Sequence, residues 1–181
     1  MTVDIPLKSG IEAASSRPAR MAALTIGLVA AAALAGAWYF QLVLKIYPCP
    51  LCLEQRYAYY LAFPLGFLIA LAASRQAPRT LLIAGLAILA LAMLGNAGLG
   101  AYHSGVEWKF WAGPSDCSGP LLDLGKSGLA GGLLDQLDSV KVIRCDEAQW
   151  RFLGLSLAGY NVLISLGLAA IASWGIAKTA R

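Results

Sequence analysis

Charged residues are scarce in this chain. Asp, Glu, Lys and Arg together make up 13% of its 181 residues, whereas soluble domains contain about 25%. Hydrophobic residues make up 59%, above the roughly 45 to 50% that is usual for soluble domains. So little charge argues against a water-soluble domain and predicts a membrane protein that has the lipid bilayer as a partner.

The sequence also lacks the common cofactor motifs. It has no Gly-x-Gly-x-x-Gly nucleotide fingerprint, no histidine directly after its Cys-x-x-Cys pair for haem attachment, and no clustered cysteines for iron and sulfur. The net charge of +4 comes mostly from basic residues beside apolar segments, so we predict no nucleic-acid partner. Any electron carrier must therefore be of another kind.

Long uncharged segments dominate what is present, and they cover residues 21–44, 57–74, 80–105 and 152–177. Each has 18 to 26 residues, and about 20 suffice for a helix to cross a bilayer. The first segment resembles a signal peptide, but its 24 residues exceed the apolar region of such peptides, so we predict an uncleaved helix. The sequence predicts an all-α, four-helix transmembrane domain over 21–177, with tails at 1–20 and 178–181.

Basic residues indicate the orientation. Arg17 and Arg20 precede the first span, Arg75 and Arg79 lie at the short turn 75–79, and the tail 178–181 is basic. The other loops carry as many basic residues, but at lower density. The positive-inside rule then predicts cytoplasmic termini and outer loops at 45–56 and 106–151, which are periplasmic in a bacterium with two membranes.

All four cysteines face one compartment in this topology. Cys49 and Cys52 lie between spans one and two, and Cys117 and Cys145 lie between spans three and four. An even number of crossings separates the two pairs, so they share a side whichever way the chain inserts. With the predicted orientation that side is oxidising, where disulfides persist.

The Cys-x-x-Cys spacing of Cys49 and Cys52 fits several kinds of site. A zinc site prefers a second close pair or nearby histidines, yet Cys117 and Cys145 are 28 positions apart and the chain has one histidine, so we predict no metal. A structural disulfide is the favoured alternative for Cys117 and Cys145 taken alone. A purely structural disulfide explains Cys49 and Cys52 less well, because a bond that closes so small a loop constrains the unfolded chain little.

Local helix chemistry favours reactive sulfurs. Pro50 suits the first position of a helix, which makes Cys49 the predicted cap and Cys52 the third helical residue. Both sulfurs then lie in the positive field of the free amides, which favours the nucleophilic thiolate. The sequence therefore predicts thiol–disulfide exchange.

Arg56 follows Cys52 by four residues, so a helix places both on one face. One interpretation is an arginine that snorkels to the interface, with Glu54 or Glu107 as candidate partners. The other is a guanidinium that holds an oxygen-bearing electron acceptor beside Cys52. Net oxidation of thiols needs such an acceptor, and a lipid-soluble quinone can reach this site through the bilayer.

These residues resemble the disulfide bond formation protein B (DsbB) family of membrane quinone reductases. The resemblance rests on "CPLCLEQR", on "YHSGVEWKFW", on four spans and on a cysteine pair in each outer loop, and it covers nearly the whole chain from about Arg20. It implies a bacterial inner-membrane enzyme with redox disulfides Cys49–Cys52 and Cys117–Cys145, and with ubiquinone or menaquinone as cofactor.

The resemblance further implies a relay. A DsbA-like periplasmic thiol oxidase attacks the loop disulfide at Cys117, and the released Cys145 attacks the second disulfide at Cys49. Cys52 becomes the thiolate that faces quinone, which is held near Arg56. The rival hypothesis is a non-enzymatic four-helix membrane protein whose disulfides only brace its loops.

Three further features of the sequence also carry predictions. His103 either shuttles a proton to the reduced quinone or is a hydrogen-bonded polar tip. Asn96 and Asn161 are predicted to form hydrogen bonds between helices. Apolar residues at helical spacing over 129–140 indicate a short amphipathic helix, either on the membrane surface or packed on the bundle.

Overall fold

The computed structural model describes residues 5–113, 145–148 and 150–181 of the chain, with side chains from Ser16 onward. Its elements are helix α1 (Ile5–Leu42), helix α2 (Pro50–Ser74), helix α3 (Arg79–Glu107), strand β1 (Arg151–Phe152), strand β2 (Leu155–Ser156) and helix α4 (Leu157–Thr179). Cys117 and the predicted amphipathic helix at 129–140 lie outside the described residues.

All four described helices are long and apolar enough to cross a membrane, and their mean hydropathy lies between 1.5 and 2.1. The candidate spans are Ser16–Leu42, Pro50–Ser74, Arg79–Glu107 and Leu157–Thr179. The predicted all-α, four-helix membrane bundle is confirmed. The chain is a multi-pass membrane protein.

The helix boundaries differ from the uncharged segments because caps set them, not charges. Helix α2 begins at Pro50 rather than residue 57, so Glu54 and Arg56 lie within its first two turns. Helix α4 begins five residues later than predicted. A hairpin precedes it, with Leu153 and Gly154 at φ +48° and +82°, a backbone shape that no helix accepts. Helix α1 extends back to Ile5, through most of the predicted tail.

Small residues allow the helices to approach closely. Ala19, Ala22, Ala23 and Ala62 are almost completely buried between helices. A Cβ atom added to Gly66 would lie 2.8 Å from the carbonyl oxygen of Ala23. Such small-residue contacts replace the hydrophobic effect, which cannot drive helix association within lipid.

A polar cluster joins three helices inside the membrane. The Asn96 side chain donates to Asn161 Oδ1 at 3.0 Å, which confirms the predicted hydrogen bond between helices. The Tyr59 hydroxyl donates to the same oxygen at 2.7 Å, and Ser165 Oγ lies 3.2 Å from Tyr59. These bonds satisfy polar groups that would be costly to expose to lipid.

Candidate thiol-redox site

Cys49 and Cys52 lie together at the start of α2. Cys49 caps the helix, Pro50 is its first residue, and the Cys52 N–H donates to Cys49 Sγ at 3.3 Å, as the sequence predicted. Both cysteines are thiols here, and their sulfurs are 3.0 Å apart, with the Cys49 S–H donating to Cys52. Loss of the two hydrogens and a small approach of the sulfurs would close a disulfide.

The prediction that the start of the helix favours a thiolate is wrong for Cys49. Its hydrogen bond to Cys52 raises the pKa of the Cys49 thiol well above its ordinary value, and burial raises it further. The contact with His103 offsets only part of this rise. In the dithiol form Cys49 therefore keeps its proton and donates it in a hydrogen bond to Cys52. Cys52 is the sulfur that accepts this hydrogen bond.

His103 lies against this pair, although 54 positions separate it from Cys49. Its side chain is almost completely buried, and its Nε2 is 3.6 Å from Cys49 Sγ. The Gln55 side-chain amide donates to His103 Nδ1 at 2.8 Å. Since Nδ1 is thereby an acceptor, the imidazole carries its hydrogen on Nε2, which faces the sulfur.

Glu107 completes the buried group, one helical turn after His103 on α3. Its Oε1 lies 3.8 Å from His103 Nε2, and its Oε2 is buried with no hydrogen-bond partner in the described part of the chain. Sequence reasoning considered Glu107 only as a partner of Arg56. The i, i+4 spacing from His103 was the signal that could have placed it here.

Cys145 is the third described cysteine, and it packs on the same site. It is 8% exposed and lies in a small cluster with Cys49, Leu51 and Val106. Its sulfur is hydrogen-bonded to the Cys49 thiol and to the Leu51 N–H. Burial raises the pKa of the Cys145 thiol to about 12, although the Leu51 hydrogen bond lowers it. The structure thus brings Cys145 against Cys49 and Cys52, from which it is distant in the sequence.

Arg56 faces α1 and pairs with neither predicted acid. Its guanidinium donates to Gln41 Oε1 at 2.7 Å and to the Ala37 carbonyl at 3.5 Å, and it lies 5.9 Å from the centre of the Trp38 ring. No ion pair joins it to Glu54 or Glu107 within the described residues. Arg56 therefore does not form the ion pair that the snorkelling interpretation allowed, and its role as interface residue or acceptor-binding residue stays a prediction.

A cavity of about 220 Å³ opens beside the sulfurs and touches all four helices. Its walls are mostly apolar, and its polar lining residues include Cys49, Cys52, Gln55, Arg56, His103 and Glu107. A cavity of about 150 Å³ can bind benzene. This one is therefore large enough for a substituted six-membered ring.

The fold and the site together indicate the class of protein to which this chain belongs. A four-helix membrane bundle that holds neighbouring thiols beside an apolar cavity is a membrane oxidoreductase of disulfide formation. The family model described as disulfide bond formation protein DsbB matches residues 19–175. The chain belongs to the DsbB family.

Curated relatives agree with this assignment, and all three below are disulfide bond formation protein B. The protein from a Polaromonas species is 30% identical over 172 residues, which cover 91% of this chain and 94% of the relative. The protein from Hahella chejuensis is 30% identical over 169 residues, covering 91% and 98%. The protein from Methylococcus capsulatus is 35% identical over 147 residues, covering 79% and 85%. No solved structure matches the chain.

Proposed function

We propose that this protein oxidises the dithiol of a DsbA-like periplasmic thiol oxidase and passes the two electrons to ubiquinone or menaquinone in the bacterial inner membrane. The proposal places the cysteines on the periplasmic side and both termini in the cytoplasm. Arg75 caps the opposite end of α2 from Cys49, which supports this orientation under the positive-inside rule. The soluble partner is either a general oxidase or a dedicated one.

The contact between Cys145 and Cys49 is the observation that carries the proposal. In the proposed relay the partner attacks the Cys117–Cys145 disulfide at Cys117, and Cys145 leaves as a thiolate. Its raised pKa makes the Cys145 thiolate a stronger nucleophile once it has formed, although a thiol of higher pKa is released more slowly. Its position against Cys49 supports attack on that sulfur, which breaks the Cys49–Cys52 bond and frees the Cys52 thiolate.

The cavity supports quinone as the acceptor. Quinone, when bound there, supplies an acceptor for two electrons and two protons. Arg56 would hold its oxygens with charge-assisted hydrogen bonds, and the apolar walls would exclude water from the sulfurs. His103 would hold a proton at Nε2 between the sulfurs and the cavity. After transfer the Cys49–Cys52 disulfide is restored, so the partner's dithiol has become a disulfide and quinone has become quinol.

The test is turnover of purified protein with quinone and a reduced periplasmic dithiol protein. We expect quinone-dependent oxidation of the dithiol, and we expect Cys52→Ser to lower the rate by at least about a thousandfold, because no other sulfur can deliver the electrons. Ser74→Ala, an exposed change at the far end of the same helix, should retain wild-type turnover. An inactive wild type, or an active Cys52→Ser variant, would favour the rival hypothesis of purely structural disulfides.

A further inference from the structure

The sulfur and imidazole atoms at the start of α2 also form a ligand set. Cys49 Sγ, Cys52 Sγ and one ring nitrogen of His103 all lie within 4.8 Å of one another, and all three residues are at least partly buried. We propose that the dithiol form of this site binds one Zn²⁺ ion, which holds both sulfurs out of disulfide exchange. Zinc binding itself does not depend on the proposed function, and only its inhibitory consequence does.

The distances fit a tetrahedral ion. Zn–S bonds of about 2.3 Å and Zn–N bonds of about 2.0 Å place neighbouring ligand atoms roughly 3.5 to 3.8 Å apart. His103 Nε2 and Cys49 Sγ are already 3.6 Å apart. The two sulfurs, at 3.0 Å, need to separate by under about 1 Å, which small side-chain rotations provide.

Glu107 supplies an independent sign of a ligand. Its side chain is only 5% exposed, and one carboxylate oxygen has no hydrogen-bond partner among the described residues, although such a group is costly to bury alone. The other oxygen lies 3.8 Å from the same His103 nitrogen. Glu107 lies next to the set of three ligand atoms without belonging to it. A rotation of its side chain would let it supply the fourth ligand, and coordination would then satisfy its unpaired oxygen.

Gln55 orients the histidine from outside the ligand set. Its amide now donates to His103 Nδ1. A metal ion at Nε2 moves the ring hydrogen to Nδ1, and rotation of the Gln55 amide then presents Oε1 as the acceptor. A partner that fixes the ring in this way is typical of metal-bound histidines.

The redox state of the cysteines controls this site. In the dithiol form, Zn²⁺ binds and the two thiols release two protons, with no change in oxidation state. In the disulfide form both sulfurs are joined, and only His103 and Glu107 remain. The ion should therefore bind the reduced protein alone and inhibit turnover until a chelator removes it.

Cobalt provides the direct readout, because Co²⁺ in a tetrahedral thiolate site gives strong visible and near-ultraviolet bands. The experiment uses the full chain carrying Cys117→Ser and Cys145→Ser, so that no other thiols compete. We expect one Co²⁺ or Zn²⁺ per reduced chain, and none per chain after oxidation. His103→Ala should weaken binding by about tenfold or more, whereas Ser104→Ala, at the adjacent buried position, should not.

Several results would overturn the proposal. These are equal metal binding by the reduced and oxidised proteins, an unchanged affinity in His103→Ala, or an absence of thiolate-to-cobalt bands. The comparison of the two redox states needs no variant of the site, so a misfolded variant cannot obscure it. Turnover measured in a chelator separates the two hypotheses: active protein that binds no zinc refutes only the zinc site, and zinc-binding protein without turnover refutes only the proposed function.

Discussion

The Arg56 side chain is hydrogen-bonded to α1 and also lines the cavity, where it could contact a bound molecule. Its guanidinium is held by Gln41 and the Ala37 carbonyl of α1, yet it still lines the cavity beside Cys52. Two hydrogen bonds to neutral groups position the charge without neutralising it. An acceptor with partial negative charge on oxygen would therefore meet a guanidinium that has no ion-pair partner among the described residues.

We predict that Arg56→Gln raises the KM for quinone by about tenfold, because a charge-assisted hydrogen bond of about 1.4 kcal/mol is lost. Steady-state kinetics with varied quinone measures this. Arg75→Gln, an exposed arginine at the other end of the same helix, is the control and should leave KM unchanged. A wild-type KM in Arg56→Gln would return Arg56 to the role of an interface anchor.

At the residue scale, the sequence predicted what is local and missed what depends on helix register. The cap at Cys49, the proline that follows it and the shared face of Cys52 and Arg56 all follow from spacing along one helix. The contact of His103 with Cys49 depends on how α3 lies against α2, which no local pattern reveals. For that reason the sequence predicted no metal site for lack of a nearby histidine, although His103 Nε2 lies 3.6 Å from Cys49 Sγ.

At the element scale, the bundle depends on close contacts between small residues. Gly66 on α2 faces α1, where a Cβ atom would meet the Ala23 carbonyl oxygen at 2.8 Å and the Gly27 backbone at 2.9 Å. Those neighbours are backbone atoms that cannot rotate away. The helices would have to separate, and this would also move the cavity wall that α1 provides.

We predict that Gly66→Ala lowers the free energy of unfolding by about 1 to 3 kcal/mol, the usual cost of overpacking. Thermal or denaturant unfolding of the purified protein in detergent measures the change. Gly95→Ala is the control, because its Cβ would meet nothing within 4 Å. Equal stability of the Gly66→Ala and Gly95→Ala variants would show that this contact does not limit how closely α1 and α2 pack.

Uncharged segments were enough to predict the number and type of the helices, because lipid requires long apolar helices. They were not enough to predict where the helices begin. Glu54 and Arg56 are accepted inside α2 because they lie near its outer end, where polar groups reach the interface. The hairpin at Arg151–Ser156 has only two residues in each strand, which is too short for an alternating pattern to reveal.

At the scale of the whole molecule, the four helices gather groups from distant parts of the chain around one cavity. Its lining runs from Ala33 on α1 to Ile164 on α4, and Cys145 approaches from the loop between α3 and α4. Family resemblance predicted this convergence, since spacing alone leaves the two cysteine pairs unconnected. The pairing of Cys145 with Cys117 stays a prediction, because Cys117 lies outside the described residues.

The central claim is that the Cys49–Cys52 dithiol gives its two electrons directly to quinone. A single-turnover experiment tests it: anaerobic, metal-free, reduced protein with Cys117→Ser and Cys145→Ser is mixed with quinone, and both quinol and remaining thiols are counted. We predict one quinol formed and two thiols lost per chain, since the dithiol and the cavity are complete without the loop cysteines. Quinone left unreduced by this protein, or quinol formed without loss of both thiols, would contradict the account.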